Sequence, residues 1–234
     1  MAESTSPNAP PGFTGIISDW SSDQTTFKGA GWGKPMMWLF LLSDIFIFGM
    51  FLLGYMTARL STTDPWPDTG MVFALNVFGQ QIPLLLIAIM TFILISSSGT
   101  MALAVRYGYL ENRKICGRLL LATAAFGATF VGMQVFEWSV LIGEGVRPWG
   151  NPWGAAQFGA SFFLITGFHG THVTIGVIAL LYMYRKVMRG DLETGRAGTL
   201  TGRKGRWEMV EILGLYWHFV DLVWVFIFAF FYLW

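Results

Sequence analysis

The stretch ASFFLITGFHGTHVTIGVIALLYMY, residues 160–184, decides the fold class. Its 25 residues contain no Asp, Glu, Lys or Arg, and its only imidazoles are His169 and His172. A hydrocarbon layer about 30 Å thick is crossed by about 20 apolar residues in α-helix. A run of this length is far too long for a strand. The Gly, Thr and Ser within it suit close helix–helix approach in lipid.

Four more runs meet the same test, at residues 36–56, 83–105, 119–142 and 211–234. The expected fold is therefore an all-α, polytopic membrane bundle of five transmembrane helices. Composition agrees. The chain is 54% hydrophobic and 12% charged over 234 residues, whereas soluble domains carry about 25% charged residues. Aromatics reach 17%, with 11 Trp, which suits side chains that anchor at interfaces or fill gaps between apolar helices. The net charge of +1 gives no reason to expect nucleic acid as a partner. Cys116 is the one cysteine, so this chain alone builds no disulfide, cysteine zinc site or iron–sulfur cluster.

Residues 1–35 are rich in Pro, Ser, Gly and Asp and lack the basic start and apolar stretch of a cleaved signal peptide. They read as a polar tail, followed by one membrane domain over residues 36–234. Direction follows from Lys and Arg. The tail holds Lys28 and Lys34, the second connection Arg106, Arg113, Lys114 and Arg118, and the fourth Arg185, Lys186, Arg189, Arg196, Arg203, Lys204 and Arg206. These 13 of the 15 basic residues share one side, with Arg59 and Arg147 on the other. The positive-inside rule then places the N-terminus in the cytoplasm and the C-terminus outside. Trp66, Trp149 and Trp153 fall in the outer connections, where an aromatic belt is expected.

Ionisable groups in hydrocarbon cost at least a few kcal/mol each, so Asp44, Glu137, His169, His172, His218 and Asp221 are the candidates for function. Gln134 and Glu137, His169 and His172, and His218 and Asp221 are each three apart, which puts each pair on one face of its helix. Three readings compete: a metal or haem site, a proton relay, and hydrogen bonding across helices. Counting roughly 1.5 Å per residue from the cytoplasmic helix ends spreads the groups over roughly 10–27 Å of depth, whereas metal ligands must converge within a few ångströms. Only partial sets such as Glu137 with His169, or Asp221 with His172, could meet on that count. Hydrogen bonding across helices is the expected role, with no catalytic residue and no metal ligand in this chain. Asp44 stands apart in WLFLLSDIFIFG. It needs a partner on a neighbouring helix or a lipid headgroup, or else it exchanges protons near the cytoplasmic face.

Ser96 to Thr100 and the set Gly167, Gly170 and Gly176 read as small-residue packing. The aromatic segment 226–234 reads as a lipid- or partner-facing wall. Neither Gly/Pro-broken paired spans nor a phosphate-binding glycine loop supports a transporter, although intramembrane carboxyls keep an ion-coupled transporter as an alternative.

Five ordered segments carry a resemblance: FLLSDIFIFG (residues 40–49), ILISSSGTMALAV (93–105), GMQVFEW (132–138), FFLITGFHGTHVTIG (162–176) and GLYWHFVDLVWVFIF (214–228). The chain resembles subunit III of the haem–copper terminal oxidases, cytochrome c oxidase and quinol oxidase, in the five-span bacterial type. The resemblance implies that Asp44 occupies the first-span acidic position where the family often has Glu. It implies that Glu137, His169, His172, Trp217, His218 and Asp221 take the family's polar interhelical positions. It also implies no cofactor in this chain, haem and copper in partner subunits, bound phospholipid, and assembly with oxidase subunits I and II in a bacterial inner membrane. Asp44 would then support proton uptake. An accessory subunit of nitric oxide reductase is the alternative within the superfamily.

Overall fold

The computed structural model describes residues 33–72, 74–77, 80–193 and 207–234. Five helices in it are long and apolar enough to cross a membrane: α1 (Gly33–Ser61), α2 (Leu85–Tyr109), α3 (Arg113–Gly143), α4 (Ala156–Arg189) and α5 (Glu208–Phe228). The chain finishes in a π-helical turn, Ala229–Leu233. All five expected spans are present, but the helices overrun them. α3 begins at Arg113 and α4 runs on to Arg189, because long basic side chains extend to the headgroup level while their backbone stays helical. Gly190, at φ 82°, ends α4 in the left-handed conformation that glycine adopts without strain. The expected tail falls almost wholly outside the described residues.

The connection between α1 and α2 is more structured than the sequence suggested. It holds one helical turn, Thr69–Val72, and an antiparallel hairpin pairing Ala74–Val77 with Gln80–Pro83 in the register Ala74 to Pro83. The second span therefore starts as a helix at Leu85 rather than at 83. Trp149 is 80% exposed, as a belt residue would be, whereas Trp66 is partly buried. It packs edge-on against Tyr55 and Phe158, with ring centroids 5.6 and 5.8 Å away.

Helices α2, α3 and α4 form an antiparallel row, α5 lies across it against α2 and α4, and α1 packs on α4 and α5. α1 is the least buried of the five and α5 the most. Trp217 of α5 is the centre of this packing. Its side chain is 1% exposed, and its indole N–H donates to Ser97 Oγ on α2 at 3.0 Å. A Cβ at Gly127 of α3 would stand 2.5 Å from the ring, and one at Gly176 of α4 would stand 2.8 Å from it. The two glycines are therefore what lets the indole sit between α3 and α4. Two helical turns further on, Trp224 donates to Thr91 Oγ1 of α2 at 3.0 Å. The glycine reading thus divides: Gly167 and Gly176 are close-contact positions, whereas Gly170 faces open space.

Candidate functional site

All the candidate ionisable residues except His169 gather into three separate polar contacts, each built by a different pair of elements. The first joins α1 to α4. Asp44, 4% exposed, has its Oδ2 3.1 Å from His172 Nε2. The other ring nitrogen of His172, Nδ1, lies 2.9 Å from the Phe168 carbonyl oxygen one turn back. A carbonyl only accepts, so Nδ1 carries the hydrogen. Asp44 Oδ2 and His172 Nε2 are within ion-pair reach of one another but are not aligned as a hydrogen bond. Asp44 is thus not a lone carboxyl, and Tyr216 of α5 secures the same turn by donating to the His172 carbonyl at 2.8 Å.

The second contact joins α3 to the end of the chain. Glu137, 4% exposed, accepts from Gln134 Nε2 at 2.7 Å and from Tyr232 OH at 3.0 Å. The spacing of three between Gln134 and Glu137 does place them on one face, as the sequence indicated. Tyr232 is the member that sequence reasoning missed. Its segment was expected to be an outward aromatic wall, yet Ile227, Phe231 and Tyr232 are at most 2% exposed while Phe226 and Leu233 are 50% and 65% exposed. In the π-helical turn the consecutive Phe231 and Tyr232 both face the core.

The third contact joins α5 to α2. His218 Nδ1 meets the Ser98 hydroxyl, and Ser98 also lies against Asp221. This gives the serine run a second use beyond packing: Ser97 holds Trp217 and Ser98 holds His218.

His169 belongs to none of the three. It is 1% exposed, and neither ring nitrogen has a hydrogen-bond partner among the described residues. Its imidazole packs as a ring, stacked on Trp224 at 5.4 Å and edge-on to Phe130 at 5.8 Å. The partial sets reckoned from depth do not form. Glu137 bonds to Gln134 and Tyr232 instead of His169, and His172 faces Asp44 instead of Asp221. Among the described residues, no group of three or more His, Cys, Asp or Glu could hold a metal ion.

A groove runs between α1 and α5. One part, about 320 Å³, is bounded by Phe48, Leu52, Val223 and Phe226, and the adjoining part, about 600 Å³, by Trp38, Leu42, Leu215 and His218. Its lining is almost wholly apolar and its shape is elongated along the span, which suits hydrocarbon rather than a polar solute.

Fold and site together define a multi-pass, all-α membrane protein whose intramembrane polar groups join helix to helix. Residues 18–234 match the family described as cytochrome c oxidase subunit III, and the chain belongs to that family, subunit III of the haem–copper oxidases. It is 32% identical over 208 residues to the probable quinol oxidase subunit 3 of Staphylococcus aureus (strain USA300), covering 88% of this chain and 90% of that one. The corresponding protein of Staphylococcus epidermidis is 31% identical over 207 residues, with the same coverage. Membership makes this chain a subunit of an oxidoreductase complex, associated with other oxidase subunits.

Proposed function

We propose that this chain is a non-catalytic subunit of a respiratory oxygen reductase of the bacterial inner membrane. It would sit beside subunits I and II and support the proton uptake of subunit I. Electrons would reach haem and copper in those partners, where oxygen is reduced to water. The observation that carries this reading is the pairwise use of the buried polar groups. Asp44 meets His172, and Glu137 takes Gln134 and Tyr232. A redox centre needs convergent donors, and these groups diverge among three helix pairs.

In the proposed orientation the basic end, with Lys34, Arg113 and Arg189, faces the cytoplasm. Asp44 and His172 then form a carboxyl–imidazole pair on the cytoplasmic side of the membrane. Side by side, the two groups compensate one another in lipid, where either alone would be costly. The α1–α5 groove would hold the acyl chains of a phospholipid. Residues 1–35 would form a polar tail attached to the membrane domain at 36–234.

Its likeness to quinol oxidase subunits favours quinol over cytochrome c as the electron donor, although donor choice resides in other subunits. Purification through a tag on this chain, with optical spectra, metal analysis and oxygen uptake driven by quinol or by reduced cytochrome c, tests the reading. Haem and copper copurifying with quinol-driven oxygen uptake is the expected result. Non-haem iron with nitric oxide reduction would point to the alternative complex. A chain purifying alone, with no redox partner, would sink the reading and revive the transporter.

A further inference from the structure

The third polar contact borders the groove between α1 and α5. His218 bounds its larger part, about 600 Å³, together with Trp38, Leu42, Ile45 and Leu215. None of the residues bounding either part is Lys, Arg, Asp or Glu, and only Trp38 and His218 carry a polar side-chain atom. His218 Nδ1 is engaged by the Ser98 hydroxyl of α2. Nε2, on the other side of the ring, makes no hydrogen bond among the described residues, and the side chain is only half-buried. With Nδ1 turned to α2 and the ring bounding the groove, Nε2 is the nitrogen presented to an occupant.

The role of that nitrogen follows from its neighbours. Ser98 lies against both Nδ1 and the Asp221 carboxyl, and a hydroxyl that donates to a carboxylate is left to accept from Nδ1–H. Nε2 is then the acceptor of the ring. An occupant that meets it must bring a donor, such as a hydroxyl.

Depth and charge narrow the occupant further. Glu211, which stands 2.8 Å from Lys34, marks the charged end of α5, and His218 lies seven residues along, about 10 Å deeper. A lipid phosphate stays with the charged groups at the interface, because an ion carried to the level of His218 would meet no cation to offset its lost hydration. The polar end of the occupant is therefore neutral and the rest of it is hydrocarbon. Trp38, 60% exposed, adds an aromatic face to the same wall, against which a flat ring packs.

We propose that the larger part of this groove is a binding site for a membrane quinol, its ring beside Trp38 and Leu42 and one ring hydroxyl donating to His218 Nε2. Its isoprenoid tail runs along the smaller part past Phe48 and Val223, beside the acyl chains proposed for the groove. The choice of quinol among neutral ring amphiphiles rests on the proposed electron donor. This chain contributes binding alone, and oxidation of the quinol stays with the partner subunits.

The test uses the intact complex in mild detergent and a photoreactive azidoquinone bearing an isoprenoid tail. Mass spectrometry of labelled peptides reads where it binds, and oxygen uptake with quinol or reduced cytochrome c is recorded on the same preparation. Label on residues 38–45 and 215–222, displaced by excess quinone but not by excess phosphatidylglycerol, is the expected result. His218→Phe keeps an aromatic ring and removes the acceptor, and should cut that label about fivefold, within the range of one hydrogen bond. Leu42→Trp narrows the groove from α1 and should abolish the label, whatever packing role His218 has. Label that ignores both substitutions, or that phosphatidylglycerol displaces as well as quinone does, would overturn the proposal. Quinol-driven oxygen uptake with no label on this chain would also overturn it, while leaving the donor reading intact. Label at these residues in a complex that oxidises only cytochrome c would keep the site and sink the donor reading.

Discussion

Trp217 and Ser97 are joined by an indole N–H···Oγ bond of 3.0 Å, and the same serine hydroxyl donates back to the Leu94 carbonyl at 2.7 Å. The hydroxyl therefore acts as donor and acceptor at once, which leaves no unpaired polar atom on either partner in a setting without water. Because the indole also passes between Gly127 and Gly176, one side chain fixes α5 against α2, α3 and α4 together.

Gly127→Ala and Gly176→Ala should each destabilise the bundle by about 1–3 kcal/mol, since the new methyl meets a fully buried ring that cannot retreat. Gly170→Ala is the control. Nothing lies within 4 Å of its would-be Cβ, so it should be neutral or slightly stabilising through better helix propensity. Denaturation midpoints of the purified protein in mild detergent separate the two classes. Equal effects at 170 and 176 would refute the packing assignment.

For Asp44 and His172, a double-substitution cycle tests the contact. Asp44→Asn and His172→Gln should together lose less stability than the sum of the single changes, with a coupling of about 0.6–1.7 kcal/mol, the range for polar pairs inside membranes. On the proposed role of Asp44 in proton uptake, Asp44→Asn in the assembled complex should slow uptake while leaving the haem spectra unchanged, because it replaces the carboxyl by an amide of the same shape. Undiminished uptake would confine Asp44 to a structural role.

The five spans were legible because hydrocarbon thickness imposes a length that composition alone can reveal, and Gln134 with Glu137 was legible because helical periodicity fixes same-face neighbours. Partners on other helices were not. His172 lies 17 residues from Arg189 at the end of α4, whereas Asp44 lies 11 residues from Gly33 at the start of α1, yet the two touch. Helix ends do not share a plane here, since α4 projects about 9 Å further at 1.5 Å per residue. Depth counted from each end therefore placed Asp44 and His172 on different levels. Tyr232 was hidden for another reason. An aromatic-rich terminus has no polar periodicity to mark its inward face, and the π-helical turn shifts the phase in any case.

Tyr232→Phe should cost about 1 kcal/mol, because it deletes one hydrogen bond and leaves Glu137 with Gln134. Glu137→Leu should cost more, about 2–3 kcal/mol, since it strands both the Tyr232 hydroxyl and the Gln134 amide away from water. Glu137→Gln, which still accepts from one partner, should fall between them. Unfolding midpoints in the order Tyr232→Phe, Glu137→Gln, Glu137→Leu check the network, and a reversed order would refute it.

At the basic end, Lys34 Nζ stands 2.8 Å from Glu211 and 3.6 Å from Glu208, and Tyr109 donates its hydroxyl to Glu211. Glu211 thus ties α1, α2 and α5 together where the spans leave the membrane. Its side chain is 28% exposed and that of Lys34 is 24% exposed, so water and salt weaken the ion pair but reach it incompletely. Lys34→Met should therefore cost only about 0.5–1 kcal/mol, most of it lost from the unmodified protein as ionic strength rises. Glu211→Gln should cost little more than that, because its amide oxygen still accepts from Tyr109. Glu211→Leu removes both contacts and should loosen α1, which is the least buried helix and relies most on such ties. Proteolysis or hydrogen exchange near residues 33–40 reads that loosening directly, and unchanged protection in Glu211→Leu would show that α1 is held by apolar packing alone.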